Sequence, residues 1–438
     1  MKNPHKHKMG LWSIVLLGLN TIIGSGIFLI PQEAMRLVGP SSVAIFAFDA
    51  LLAGCISLCF AEMAGRFNKN GGAYVYARAA FGEFVGFEVG FMKWIVTMTA
   101  WATLSVALLS VVEAVWVDLQ TPANHKKALI GLFVLLASIN LLGVKFSKVV
   151  GNVVSMGKLI PLVLFVGLGV LFIQPHHFVP FYAPYSVGDQ SPLSAIATAA
   201  LMIFYAFTGF ESVVVAAEDM QDPQHNLPKA IVIILAVLVT LYVLVHSVCI
   251  GTLGPLLATT PIPIASAFRV FLGESGHHLV ITGMLIAIGG SNLASSFIAP
   301  RVGVALAQDR LLPGVLAAKN RFGAPYVSII ITSGLSCCIA LSGTFAKLAM
   351  MSAMASFLQY IPTCLAVLRL RQLSPDQRSH FHLPAGALIP LMALVIIGFM
   401  LLFVSRCHLL WGLASLALGV PVYWVGRYYR RGTRPPKA

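Results

Sequence analysis

Charge-free apolar runs of roughly helix-spanning length recur along the whole chain. They cover residues 11–32, 94–112, 128–144, 159–188, 190–210, 230–268, 275–300, 322–346, 348–368, 379–405 and 407–426. Residues 40–61 form a twelfth, interrupted only by Asp49. About 20 predominantly apolar residues carry a helix across a hydrocarbon core of about 30 Å. The runs are continuous rather than alternating, which predicts helices and not the strands of a closed barrel, the other backbone solution inside lipid. The pattern therefore predicts an all-α integral membrane chain with twelve transmembrane helices in a single domain over residues 1–438.

Composition agrees with the pattern. Charged residues make up 10% of the chain and AVILMFWYC 58%, with mean hydropathy +0.87. Ordinary globular chains carry about 25% charged residues, so this one has too little charge to cover a soluble surface. Soluble, disordered and collagen-like classes are excluded, and the net charge of +14 is not the mark of a nucleic-acid-binding domain. Its placement matters more than its size. With twelve spans, 22 of the 29 basic residues fall on the side that carries both termini and six on the other. The excess of Lys and Arg marks the cytoplasmic side. A multi-pass protein of the inner or plasma membrane with both termini in the cytoplasm is expected, residues 1–10 leading in and a basic tail, 427–438, lying against anionic headgroups. The basic start followed by an apolar run looks like a signal peptide, but that run is too long and eleven more follow, so an uncleaved first helix is expected.

Other chemistry is thin. Seven cysteines lie in or beside apolar runs and read as packing, not disulfides. His176-His177 and His277-His278 lack the spacing of a metal site, and no metal or cofactor is expected. No His-Glu-x-x-His, Gly-x-Ser-x-Gly or Gly-x-x-x-x-Gly-Lys-[Ser/Thr] occurs, so neither hydrolysis nor ATP-driven pumping is supported.

Two runs carry helix-breaking chemistry at their centres. The first contains Gly24-Ser25-Gly26, and the sixth span, which extends its run to residues 191–217, contains Phe207-Thr208-Gly209-Phe210-Glu211. Glycine costs about 1 kcal/mol in a helix interior, although in membranes it also permits close helix packing. The two interruptions lie five spans apart, an odd offset, so a second copy would be inverted relative to the first. Residues 11–173 and 191–370 then form two five-helix repeats, with 386–426 supplying two further helices. Interrupted helices at matching places of inverted repeats point to a secondary transporter with its site near mid-membrane.

The residues at these places resemble those of the amino acid–polyamine–organocation (APC) permeases. The resemblance rests on Gly24-Ser25-Gly26-Ile27-Phe28, Gly71-Gly72-Ala73-Tyr74, Phe207-Thr208-Gly209-Phe210-Glu211-Ser212 and Glu218-Asp219-Met220-Gln221-Asp222-Pro223. It continues through Asn226-Leu227-Pro228-Lys229 and Ala307-Gln308-Asp309-Arg310-Leu311-Leu312-Pro313, and it covers the first ten spans in order. It implies the five-plus-five inverted-repeat, LeuT-like fold with discontinuous helices one and six, and amino acid transport by alternating access. A channel is the rival reading; it predicts flux without saturation or countertransport.

An unwound helix exposes backbone groups and the end of a half-helix dipole. The amides of Ser25, Gly26 and Ile27, after Gly24, are placed to hold a carboxylate. Carbonyls near Ile23, Phe204, Tyr205 and Phe207, with Thr208 and Gly209 at the second break, are placed to take an ammonium. The resemblance puts Tyr205 and Phe207 where an aromatic lid covers substrate, although both also suit plain packing. Asn292 and Ser295 either face the cavity or hold helix contacts. Ionisable residues inside spans are functional candidates by default. Lys158 resembles the span-five lysine of proton-coupled and exchanging relatives; the alternative is a side chain that reaches the cytoplasmic surface. Glu211 suits either proton-linked gating or support of the unwound segment. Asp49 and Lys93 match no family motif, and a contact between them across spans two and three is an open reading. The expected cargo is a neutral amino acid, coupled to protons or to a counter-substrate.

Overall fold

The computed structural model describes residues 8–67, 72–143, 148–185, 191–215, 220–373, 381–383 and 385–432. The expectations for Gly71, Glu218 and Asp219, the first seven residues and the end of the basic tail lie outside them. Among the described residues the architecture is all-helical.

The first run is split, as its glycines suggest. α1 (Leu11–Ile22) ends, and α2 (Gly26–Val38) begins after three residues outside either helix. A turn at Gly39–Ser41 reverses the chain into α3 (Ser42–Arg66). The short α4 (Ala73–Phe81) then leads into α5 (Glu83–Glu113), which is largely buried along its length. α6 (Pro122–Leu141) starts at Thr121, whose side chain accepts from the Asn124 amide as an N-cap. α7 is Lys148–Gly169, so it begins before the apolar run used to place it, and Lys158 sits at its centre.

The sixth run is split too. α8 (Pro192–Phe204) passes into a tight turn at Tyr205–Phe207, and α9 (Phe210–Val215) follows. α10 (Pro223–Leu253) and α11 (Pro263–Gln308) come next, with α11 kinked at Gly273. The apolar run 230–268 is therefore the end of one helix and the start of another, because Gly254 adopts φ +52° and stops the first. α12 (Tyr326–Leu341), α13 (Phe345–Leu373), α14 (Leu388–Phe403) and α15 (Arg406–Gly432) complete the chain.

Seven helical stretches among the described residues are long and apolar enough to cross a membrane, and one of them, Gly26–Arg66, is divided by the turn at Gly39–Ser41. Four shorter apolar helices accompany them, α1 among them. Large apolar side chains face outward, Leu171 and Leu402 each at 80% exposure. Such a surface suits lipid and would aggregate in water.

The packing places the broken helices at the centre. α5 lies against α11 and α13; α3 lies against α10 and α8; α1 touches α9 and α10; α2 touches α8. Trp101, Tyr76, Tyr242, Tyr360 and Phe28 are fully buried in this core.

Candidate functional site

The two interruptions face each other in contact. A Cβ placed on Gly26 would lie 2.9 Å from both the Cα and Cβ of Ala206, and one on Gly209 would lie 2.9 Å from the carbonyl oxygen of Thr21. Only residues without a side chain allow the stretches to cross this closely. Gly209 also sits at φ +113°, a conformation that L side chains rarely adopt. The Ser25 and Tyr205 hydroxyls, 3.1 Å apart, tie the breaks together.

Each break frees backbone groups that the surroundings partly satisfy. The Phe28 and Leu29 amides donate to Ser25 O, which leaves the earlier amides of α2, at Gly26 and Ile27, without a partner in their own helix. At the second break, Thr208 donates to Tyr205 O through its amide (3.2 Å) and its hydroxyl (2.7 Å). Tyr242 donates its hydroxyl to Ala206 O at 3.2 Å. The Gly209 amide donates to Glu211 Oε2 at 3.0 Å, so this carboxylate caps the start of α9.

Lys158 is 3% exposed and does not reach the surface. Its ammonium donates to Asn20 O (2.8 Å) and Asn20 Oδ1 (3.0 Å). A helix continuing past Ile22 would have used the Asn20 carbonyl for the amide of Gly24. The lysine thus takes up a carbonyl that the break releases, and the bond offsets part of the cost of burying its charge.

Lys93 and Asp49 do not meet. Lys93 Nζ donates to Glu211 Oε1 at 2.9 Å, while Tyr360 donates its hydroxyl to Glu211 Oε2, also at 2.9 Å. Asp49 is fully buried in α3, and neither of its carboxyl oxygens has a hydrogen-bond partner. The cross-span contact left open above is not made; Lys93 of α5 pairs instead with Glu211, which follows the second break and is held within reach by the turn at Gly209.

A cavity of about 380 Å³ opens between these parts. That volume lies in the range of small-molecule sites. Gly24, Ser25, Gly26, Tyr205, Thr208, Gly209 and Ser295 line it, together with Lys158, Lys93 and Glu211. Other expected residues stand back. Asn292 is buried and accepts from the Trp101 indole at 2.8 Å. Phe207 packs edge-on against Phe46 and beside Tyr242, and Phe204 lies on Phe357. Neither ring lines the cavity, and neither do the side chains of Ile23 and Ile27, both of which are buried. Sequence reasoning missed Asn20, Thr21 and Ser291 in the wall and Tyr360 behind it. Lys93 carried one usable signal, a charge inside a span, but nothing that named its partner.

Comparison with known proteins settles the class. The family model for amino acid permeases matches residues 9–424, nearly the whole chain. The chain belongs to the amino acid permease family. An uncharacterized transporter of Mycobacterium tuberculosis is 31% identical over 428 residues, 92% of this chain and 88% of the relative. A branched-chain amino acid permease of Bacillus subtilis is 26% identical over 442 residues (96% and 93%), and a methylthioribose transporter of the same organism is 26% identical over 412 (88% and 86%). These relatives are transporters, so the permease is a multi-pass membrane transporter and not an enzyme. Its class implies an amino acid, a small molecule, as the transported substrate.

Proposed function

We propose that the permease is a secondary active transporter that moves neutral amino acids across the cell membrane by alternating access. In this reading twelve spans form two inverted five-helix units plus two further helices, with both termini in the cytoplasm. The observation that carries it is the pair of broken helices crossing beside one cavity, Gly26 against Ala206 and Gly209 against Thr21. The α2 amides hold the substrate carboxylate and the carbonyls at the end of α8 take its ammonium, so the head group is read by backbone. Substrate binding across the two breaks draws the half-helices together, and their rocking against α5 and α11 opens the cavity to each side in turn.

Charge in the wall argues for a neutral side chain. Lys93 and Lys158 are cationic, and Glu211, the one carboxylate among the described lining residues, is already engaged by Lys93, Tyr360 and the Gly209 amide. A cationic side chain would find no free acid there. A bacterial relative named for branched-chain amino acids fits the same preference.

Uptake of a radiolabelled amino acid panel into proteoliposomes tests the reading, with methylthioribose as a competitor. Saturable uptake of neutral amino acids is expected. Uptake that does not saturate would point to a channel, and uptake of cationic amino acids alone would contradict the charge argument. Coupling runs through protons in this account; an exchanger of the same fold would instead require internal substrate.

Lys158 is the coupling group. When its ammonium gives up a proton, the grip on Asn20 O weakens and the end of α1 is released. Lys158→Ala is therefore expected to flatten the dependence of uptake on external pH. A profile identical to that of the unaltered permease would remove the lysine from the mechanism.

A further inference from the structure

Lys93 and Glu211 belong to two cavities, not one. A second cavity, of about 370 Å³, lies on their other face and is lined also by Tyr74, Gln308, Asp309 and Gln359. It sits toward the end of the molecule at which α1 begins and α3 finishes, the side that carries the excess of basic residues. The ion pair is the partition that the two spaces share.

The second cavity has the makings of a binding site. Gln359 lies in its wall, is fully buried, and has no partner for either its Oε1 or its Nε2. A buried carboxamide left without partners is costly, and such groups are normally satisfied. Lys93 Nζ gives one bond to Glu211, and an ammonium has three donors. Opposite in charge is Asp309, whose Oδ2 accepts the Tyr74 hydroxyl at 2.6 Å. Burial, and next the bond to Asp309, push the Tyr74 hydroxyl up to about 12, so it remains a donor at neutral pH. A carboxylate has lone pairs beyond the one that takes this bond. An ammonium donor set, a carboxylate and an amide that can both donate and accept thus border one space of nearly the same volume as the central cavity.

We propose that this second cavity is a binding site for a zwitterionic amino acid, a station that substrate occupies between the central cavity and the cytoplasm. The substrate carboxylate meets Lys93, its ammonium meets Asp309, and the amide of Gln359 bridges them. Identifying the ligand as an amino acid rests on the function proposed above; the site itself rests on its own residues.

The test is equilibrium binding stoichiometry on the purified full-length permease, with the radiolabelled amino acid that gives the highest uptake in the panel. Two molecules per chain are expected for the unaltered protein and one for Gln359→Leu, which keeps the bulk and removes the amide. Asp309→Asn, at the end of α11, provides a second variant should the first fold poorly. It is expected to weaken the second binding step about tenfold, the loss of one charge-assisted hydrogen bond. Gly26→Leu, which closes the central site, should bind one molecule, and that one should be lost when Gln359→Leu is added. One molecule per chain in the unaltered protein, or two in both Gln359→Leu and Asp309→Asn at unchanged affinity, would overturn the second site. Two molecules in Gly26→Leu would overturn the central site and leave the second standing. No binding by any amino acid of the panel would overturn both.

Discussion

Gly26→Leu is expected to lower amino acid affinity at the central cavity by at least about a hundredfold while the protein still folds. The half-helices approach so closely at this point that even a Cβ would meet Ala206 at 2.9 Å. A leucine has to push α2 away from the turn at Tyr205–Phe207, or else fill the space in front of the α2 amides. Either outcome separates the groups proposed to hold the carboxylate from those proposed to hold the ammonium. Hydrogen bonds to charged groups contribute about 1.5–3 kcal/mol each, so the loss of two corresponds to roughly a hundredfold or more in affinity. Thermal unfolding in detergent checks that the fold survives, and scintillation-based binding measures the affinity. Near-normal affinity at the central cavity in a folded Gly26→Leu protein would contradict the assignment.

The second large effect belongs to the partition. Glu211→Gln keeps the shape of the side chain but leaves Lys93, 24% exposed, without its counter-ion. Removing one partner of a buried pair costs about 3–5 kcal/mol, mainly because the other charge is stranded. Partial exposure of Lys93 favours the lower end, and transport is expected to fall roughly a hundredfold. Lys93→Met combined with Glu211→Gln removes the stranded charge, and the double variant should be more stable in detergent than Glu211→Gln alone. Its transport should recover only in part, because the Gly209 amide and Tyr360 still lose a charged acceptor. If the two changes add without coupling in both unfolding temperature and uptake, the pair does not act as a unit.

How far these parts can be read from the sequence depends on how local their causes are. Apolar runs gave the helical, membrane-embedded class because the requirement acts on consecutive residues. The breaks were legible for the same reason: Gly24-Ser25-Gly26 and Thr208-Gly209 weaken the helix where they stand. Helix ends at long runs were not, since residues 230–268 hold the end of α10 and the start of α11 in one apolar stretch. Partners were least legible. Lys93 and Asp49 are both charges inside spans, and sequence alone offers no reason to pair Lys93 with Glu211, 118 residues away, instead. The same limit applies to Phe207 and Asn292. Being aromatic or polar near a break does not say which way the side chain turns, and tertiary packing sends Phe207 to Phe46 and Asn292 to Trp101.

A structure of the permease determined with its transported amino acid bound would test the central reading most directly. The substrate carboxylate is expected against the amides at the start of α2 and its ammonium against carbonyls at the end of α8, both helices still open at Ser25 and Thr208. An amino acid bound elsewhere, with either helix continuous through its break, would contradict it.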